Sequence, residues 1–579
     1  MSLYSPSPQP SPIKGEGVFL TFYECIKLET LNFGPLNLKC QGFSVHHSNS
    51  SNSEEKNISR AAGVVGFFTF LSRILGLIRD MVLARFFGTG MTADAFFVAL
   101  RIPNLLRRLF AEGSLTIAFI PVFTEYLATK TKKDAFELAR IVLTLLALIL
   151  VVVTVLGVLF SPWIVRIQAF GFGASGVKYD LTVLLTRITF PYIFFISLVA
   201  FFMGVLNSLR HFAAPAAAPI LLNVGIIGAA YLISPYCPEP IIGVAVGVLI
   251  GGILQVGLQI PWVLKNGLSL MPRWNPGHPA VKKIGLLMLP AIFGSAVYQL
   301  NSYIVTLLAS FLAEGSVSWL YYADRLVQFP LGVFAIAIST AALPSLSTQA
   351  ANKDLKYFED TLNHTLRLVL FITLPSVVGL IILGRPIIQI LFERGAFDAF
   401  STMMTNRALI FYALGLWAFS GIRVMVSAFY ALQDTKTPVK VAVAALVANV
   451  ILSLALMGPL KHGGLALALS LSSTLQFCLL VFFLRRKIHI RNLRPVLIFA
   501  LKCTLSALIM GLGVFYCHFR WLTVDSTAGL LSMTVNLASL IIIGIIIYFV
   551  ATWVLGCSEM ASVKEMVTVQ RFKGSRFKG

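Results

Sequence analysis

The sequence predicts an all-α polytopic membrane protein of about fourteen transmembrane helices, with two six-helix lobes related by an internal parallel repeat and two further C-terminal helices. Three observations predict it. Hydrophobic residues make up 57% of the 579 and charged ones only 12%, with a mean hydropathy of +0.84, a composition foreign to soluble domains. Apolar runs long enough to cross a hydrocarbon core recur from Gly63 to Leu555, and their length and period are helical rather than those of barrel strands. Short segments also echo one another at a nearly constant spacing.

The chain divides by composition into a leader, the spans and a tail. Residues 1–57 hold SPSPQPSPIKGEG and the polar tract HHSNSSNSEEKN, with no apolar core of a signal peptide, so this leader is read as disordered. Spans are expected at 60–86, 93–126, 136–162, 181–207, 215–235, 240–264, 283–312, 316–347, 363–392, 404–431, 437–458, 463–485, 495–517 and 527–555. The second and eighth are long enough to tilt or to project beyond the bilayer. The predicted organisation is an N-lobe over 58–265, a C-lobe over 283–487, a helix pair over 494–557 and a basic tail over 558–579.

Charge supplies the orientation. The net charge of +22 comes from 46 Lys and Arg against 24 Asp and Glu. A solid basic domain would suggest nucleic acid, but these residues cluster in alternate connections. The even-numbered ones carry Lys130, Lys132, Lys133 and Arg140, then Arg210, then Lys265, Arg273, Lys282 and Lys283, then Lys353 and Lys356, then Lys436 and Lys440, then Arg485 to Lys487 with Arg491 and Arg494. The odd-numbered ones are sparse. The positive-inside effect therefore puts the even connections and both termini in the cytoplasm, and no nucleic-acid partner is expected.

The repeat is visible within the chain. AFIPVFTE around Pro121 is echoed by AALPSLST around Pro344, a shift of 223, and LNSLRHFAAP ending at Pro215 corresponds to YALQDTKTP ending at Pro438 at the same shift. Gly243 to Gln255 matches Gly464 to Gln476 at 221. Six spans per unit is an even number, so both halves share one orientation and are related by an axis along the membrane normal. Two lobes flanking a central cleft is a transporter arrangement.

Arginines within the spans point to what such a cleft holds. Arg73 lies near the middle of the first span, with Arg79 and Asp80 further along. A mid-bilayer arginine costs about 2.5–3.5 kcal/mol on insertion scales, so it is expected to face water, a partner or an anion. Arg73 and Arg79 are separated by roughly 120° around an ideal helix, so they share a cavity only if it is wide or the helix bends near Gly76. The second span carries Asp94, Arg101, Arg107, Arg108 and Glu112, with Pro103 among them, and the eighth carries Asp324 and Arg325. The repeat maps Arg325 onto Ile102, beside Arg101 and little more than one turn from Arg107, so equivalent helices of the two lobes would point guanidinium forks, suited to phosphate, into one cleft.

Plainer readings stand beside these. Arg85 and Arg108, near helix ends, are read as snorkelling to headgroups. Asp80, Asp94 and Asp324 are read as counter-charges rather than ion carriers. Gln299, Asn301, Ser302 and Tyr303 either line the cleft or hold helices together. Seven cysteines without a CxxC pair predict neither a zinc site nor a disulfide framework. No HExxH, P-loop or GxSxG motif is present, so an enzyme is not expected.

The segments SRILGLIRD at 72–80, ADAFFVALRIPNLLRRLFAEGSLTIAFIPVFTEY at 93–126, SVSWLYYADRLVQFP at 316–330 and QDTKTPVK at 433–440 resemble the MurJ/MviN family of lipid II flippases, within the MOP exporter superfamily. The likeness runs from about 58 to 557. It implies alternating access: the pyrophosphate-linked headgroup of lipid II enters a cationic cavity while the undecaprenyl tail stays in lipid beside the last two helices. By motif match the family's cavity arginines fall on Arg73, Arg79, Arg107 and Arg325, with Asp94, Asn104, Glu112 and Asp324 as secondary cavity candidates. The implied partners are lipid II, membrane lipids and cell-wall synthesis enzymes. No cofactor or metal is expected, and membrane potential or a cation gradient are both compatible driving forces. The alternative is a flippase or exporter of another lipid-linked oligosaccharide, such as an O-antigen precursor, which only the resemblance distinguishes; two other classes stand further off. A multidrug exporter would show carboxylates to cationic cargo, which arginines repel, and a non-transporting scaffold would not need the arginines.

Overall fold

The computed structural model describes residues 51–108, 115–488, 494–520 and 529–557, and every regular element among them is helical. The helices, in chain order, are α1 (Ser51–Phe87), α2 (Met91–Ala99), α3 (Arg101–Leu106), α4 (Thr116–Thr129), α5 (Lys132–Leu159), α6 (Ser161–Gln168), α7 (Val177–Thr189), α8 (Tyr192–Ser208), α9 (Ala213–Leu232) and α10 (Pro240–Lys265). The second half continues with α11 (Pro279–Ser310), α12 (Ser316–Pro330), α13 (Ile336–Ala351), α14 (Leu355–Phe392), α15 (Ala399–Ala431), α16 (Lys436–Leu460), α17 (His462–Ile488), α18 (Arg494–Arg520) and α19 (Leu530–Val554). Eleven expected spans fall on segments long and apolar enough to cross a membrane. The other three, the first, second and seventh, are helical where they are described.

Local chemistry explains the ends and the breaks. Helix α5 starts on a capping box in which Thr131 and Asp134 satisfy each other's backbone N–H. The fourth span divides into α7 and α8 where Pro191 removes a donor, and in the eighth span α12 ends at Pro330, after which Leu331–Ala335 form a π turn before α13.

The duplication is structural. Pro121 and Pro344 both sit inside helices, α4 and α13. Arg210 and Gln433, 223 apart, both take up left-handed backbone, at φ 60 and 55. In the second of these turns burial alone would raise the Asp434 carboxyl, but hydrogen bonds from Lys487 Nζ at 2.6 Å and from the Thr437 backbone and hydroxyl outweigh it and hold it at about 2. Helix pairing repeats as well. The contacts α1–α9, α9–α10, α8–α10, α5–α8 and α4–α5 recur as α11–α16, α16–α17, α15–α17, α14–α15 and α13–α14. The added helices α18 and α19 pack on α14.

The two halves meet at one end and part at the other. One core cluster mixes residues of both, including Leu83, Phe96 and Val244 with Leu320, Tyr322 and Leu409. Beyond it the core splits. One branch holds Phe119, Phe123 and Phe201, and the other holds Leu346, Phe358 and Phe429. Helix α11 serves both branches: Ala280 and Ile284 lie in the first, and Lys283 pairs with Glu125 at 2.6 Å, while Asn301 accepts from Asn449 Nδ2 at 2.6 Å.

The joined end is sealed where the first, third, seventh and ninth connections lie. The Met91 N–H donates to Glu314 Oε1 at 2.6 Å, and these two residues are 223 apart. Repeat equivalents can touch only near the axis that relates them, so the pseudo-twofold axis runs through this seal. Trp319 Nε1 donates to Thr89 Oγ1 at 2.9 Å, and Ala396 N donates to the Arg85 carbonyl at 2.9 Å.

Asp94 is the centre of the seal. Its carboxylate pairs with Lys178 Nζ at 2.9 Å and accepts from Gly315 N at 2.8 Å, Ser318 N at 3.0 Å and Ser318 Oγ at 2.7 Å. Gly315, at φ +92, is the N-cap of α12 and has no side chain to cap with, and a Cβ there would lie 2.7 Å from the Thr89 carbonyl oxygen. The carboxylate of the other half therefore caps α12 in its place, where helix-end N–H groups and the macrodipole favour an anion. This corrects one expectation. Asp94 is 1% exposed and does not line the cavity, because its oxygens are consumed by the seal.

Two outcomes follow from this packing. Gly225 and Gly251 let α9 and α10 touch backbone to backbone, since a Cβ on Gly225 would lie 2.7 Å from Gly251 Cα. Gly251→Leu is expected to cost about 1–3 kcal/mol by overpacking, seen as a lower melting temperature of the purified protein. Asp94→Ala strips Lys178 and the α12 end of their partner at once. It is expected to cost up to about 3–5 kcal/mol and to open the seal, so that a cysteine placed at Ser302 reacts faster with a thiol reagent applied from that side.

Candidate functional site: a cationic cavity with an apolar arm

Where the halves part they enclose a cavity of about 1810 Å³. Its walls carry Arg73 and Arg79 from α1, Arg101 from α3, Arg107 and Arg108 immediately after α3, Arg325 from α12 and Arg423 from α15. Among the described lining residues the carboxylates are Asp80 and Asp324, which leaves an excess of five positive charges. Low-dielectric walls focus such a field on the interior.

The apex of the cavity is a shared ion cluster. Asp80, 3% exposed, accepts from Arg79 Nη2 at 2.7 Å and Nε at 3.1 Å, and pairs with Arg325 Nε at 3.4 Å. One carboxylate thus serves a guanidinium from each half. Tyr321 Oη donates to Asp80 at 3.2 Å and accepts from Arg325 Nη2 at 2.8 Å, while the Arg325 guanidinium lies 4.7 Å from the Tyr321 ring centroid. That ring stacks on Phe97 at 3.8 Å, and Arg79 Nη1 donates to Asn223 at 3.1 Å. Two cations on one anion leave a net charge facing the cavity, held by hydrogen bonds that fix its direction.

The other predicted residues fall on the walls in different ways. Helix α1 is continuous through Gly76, so Arg73 and Arg79 share the cavity because it is wide. Arg73 makes no hydrogen bond or ion pair among the described residues. Arg107 Nε donates to Asn104 Oδ1 at 3.4 Å, and both residues line the cavity. Asp324 lines it too and accepts from Gln328 Nε2. Glu112 lies outside the described residues. Gln299, Asn301, Ser302 and Tyr303 all face the cavity, and Asn301 ties α11 to α16 as well, so both plainer readings hold for it.

One arginine differs from the sequence reading, one had no role assigned to it and one was missed. Arg108, expected to snorkel, lines the cavity, since the split core leaves space beside it. Arg101 crosses between the halves, donating from Nη2 to the Ser302 carbonyl at 2.9 Å and to Thr306 Oγ1 at 2.5 Å. Arg423 was legible by the test applied to Arg73, as a lone charge deep in the apolar run GLWAFSGIRVMVSAFYA.

The cavity is not cationic throughout. It runs on between α14, α18 and α19, where Pro375, Gly379, Met510, Val514, Ile541 and Ile545 make an apolar arm. A ligand filling both parts is an amphiphile with an anionic head.

Known proteins resemble this chain over most of its length. The family model described as "Lipid II flippase MurJ" matches residues 83–564. The chain is 36% identical over 512 residues to a protein of Vibrio cholerae described as a probable lipid II flippase MurJ, covering 86% of this chain and 97% of that one. It is similar to a solved structure of lipid II flippase MurJ in an inward closed conformation, with a TM-score of 0.71 and 30% identity over 85% of this chain and 98% of that one. An inward-facing multidrug transporter of the MATE family, in the MOP superfamily, shares the fold at a TM-score of 0.64 and 14% identity, over 74% of this chain and 98% of that one. An all-helical duplicated bundle, a family model that covers most of the chain and relatives matched over nearly their whole length lead to one conclusion: the chain belongs to the MurJ family of lipid II flippases.

Proposed function

We propose that this chain carries lipid II from the cytoplasmic to the periplasmic leaflet of a bacterial inner membrane by alternating access. The observation that supports it is one cavity joining seven arginines to an apolar arm. The pyrophosphate would bind among Arg73, Arg79, Arg107 and Arg325, where charge-assisted bonds to fixed forks are strong. Neutral sugar hydroxyls and the peptide would meet Asn104, Gln299 and Tyr303, and the polyprenyl tail would follow α18 and α19 into lipid.

The direction follows from charge. The even connections are basic and lie at the end where the core is split, so the positive-inside effect turns the open end to the cytoplasm and the Asp94 seal to the periplasm. This is a loading state. An inside-negative potential favours outward movement of an anionic headgroup by about 2.3 kcal/mol per charge per 100 mV, a driving force that needs no coupling ion. The same arginines disfavour the cationic cargo of a drug exporter, although the fold is shared.

Arg107→Ala is expected to lower lipid II exposure on the outer leaflet roughly 10–100-fold, the scale of one or two charge-assisted bonds, in cells depleted of their own flippase. Undiminished exposure at normal protein levels would overturn the proposal.

A further inference from the structure

The eighth span changes helix type where it passes Arg73. Pro330 has no N–H to donate to the preceding turn, and the chain answers with the π turn Leu331–Ala335, in which Ile336 N bonds to the Leu331 carbonyl. Gly332 lies inside that turn. A Cβ built on it would stand 2.7 Å from Arg73 Nη1, 3.4 Å from Nη2 and 3.5 Å from Cζ, and these are its three nearest neighbours. The bare backbone of one half is thus the surface against which the guanidinium of the other half rests.

Arg73 also makes no hydrogen bond or ion pair with any described residue. Arg79 and Arg325 share Asp80, whereas Arg73 keeps its full charge for a ligand. No polar partner among the described residues fixes its direction, and the bare Gly332 backbone is one surface that it lies against.

We infer that Gly332 is a positioning residue for anion recognition: by carrying no side chain in the π turn, it lets the unpaired Arg73 guanidinium lie across the junction of the halves, where it meets the phosphate of a lipid-linked sugar. The inference rests on the flippase reading and assigns to it a residue that touches no ligand. Its energetic signature is unusual. Gly332 has ordinary helical φ, so alanine is not strained there and is the better helix former. The atoms that a methyl group would strike are the far end of a flexible side chain. The fold therefore accepts the substitution while Arg73 has to move.

The experiment is lipid II binding by purified full-length protein in nanodiscs, with melting temperature as the second readout. Gly332→Ala is expected to melt at or above the wild-type temperature and to bind lipid II on the order of tenfold more weakly. Arg73→Ala is expected to weaken binding by at least as much, and the double variant to bind no worse than Arg73→Ala alone, since the glycine acts only through the arginine. Wild-type affinity in Gly332→Ala beside a loss in Arg73→Ala would overturn the role of Gly332 and leave the flippase reading standing. Full additivity in the double variant, or a melting temperature that falls together with affinity, would also overturn it. Wild-type affinity in Arg73→Ala would overturn both.

Discussion

One carboxylate holds the two halves in register. Asp94 reaches from α2 to the bare N-terminus of α12, whose cap residue is a glycine, and carries Lys178 with it. In a protein whose outer faces meet lipid, the hydrophobic effect does little to press one helix on another, so a buried polar joint of this kind has unusual weight. Because it lies at one end of the bundle and on the pseudo-axis, it lets the core be continuous there and divided elsewhere. The cavity is the space left by a hinge-like joint that closes one side only.

The ion cluster at the apex answers a second constraint. Guanidinium groups inside a membrane need compensation, yet full compensation would leave nothing for a ligand. Sharing Asp80 between Arg79 and Arg325 meets both demands, because one anion keeps two cations ordered and cannot neutralise them. Tyr321 fixes the geometry, with its hydroxyl on the cluster and its ring against Phe97. Charge, direction and access to the cavity are set together by four side chains from both halves.

Much of this was legible in the residues. Span positions and the shift of 223 follow from hydropathy and internal echoes, and the cost of burying charge marks the arginines within the spans, each of which acts locally; the set Arg73, Arg79, Arg107 and Arg325 is what the family resemblance implies. The rest depends on partners that only folding supplies. Asp94 is a cavity candidate only through the family resemblance; its reading as a counter-charge holds, with Lys178 as the partner, and only the register of α2 against α12 turns its oxygens into a cap. Arg108 reads as interfacial because its depth depends on a split core that no periodicity announces. Arg423 is different, since the signal stood in the chain as plainly as that of Arg73.

The contact between Met91 and Glu314 has an evolutionary corollary. Where two copies of one ancestral unit face each other across a twofold axis, every residue on that axis meets itself. A symmetric pair would set one Asp94 carboxylate against another, and like charges would push the units apart. Fusion of the copies into one chain removes that obligation: the first half keeps the acid, and the second offers Gly315, Val317 and Ser318 in the facing stretch, so that self-repulsion becomes complementarity. The joint on which the bundle closes is one that a homodimer of identical halves could not have built.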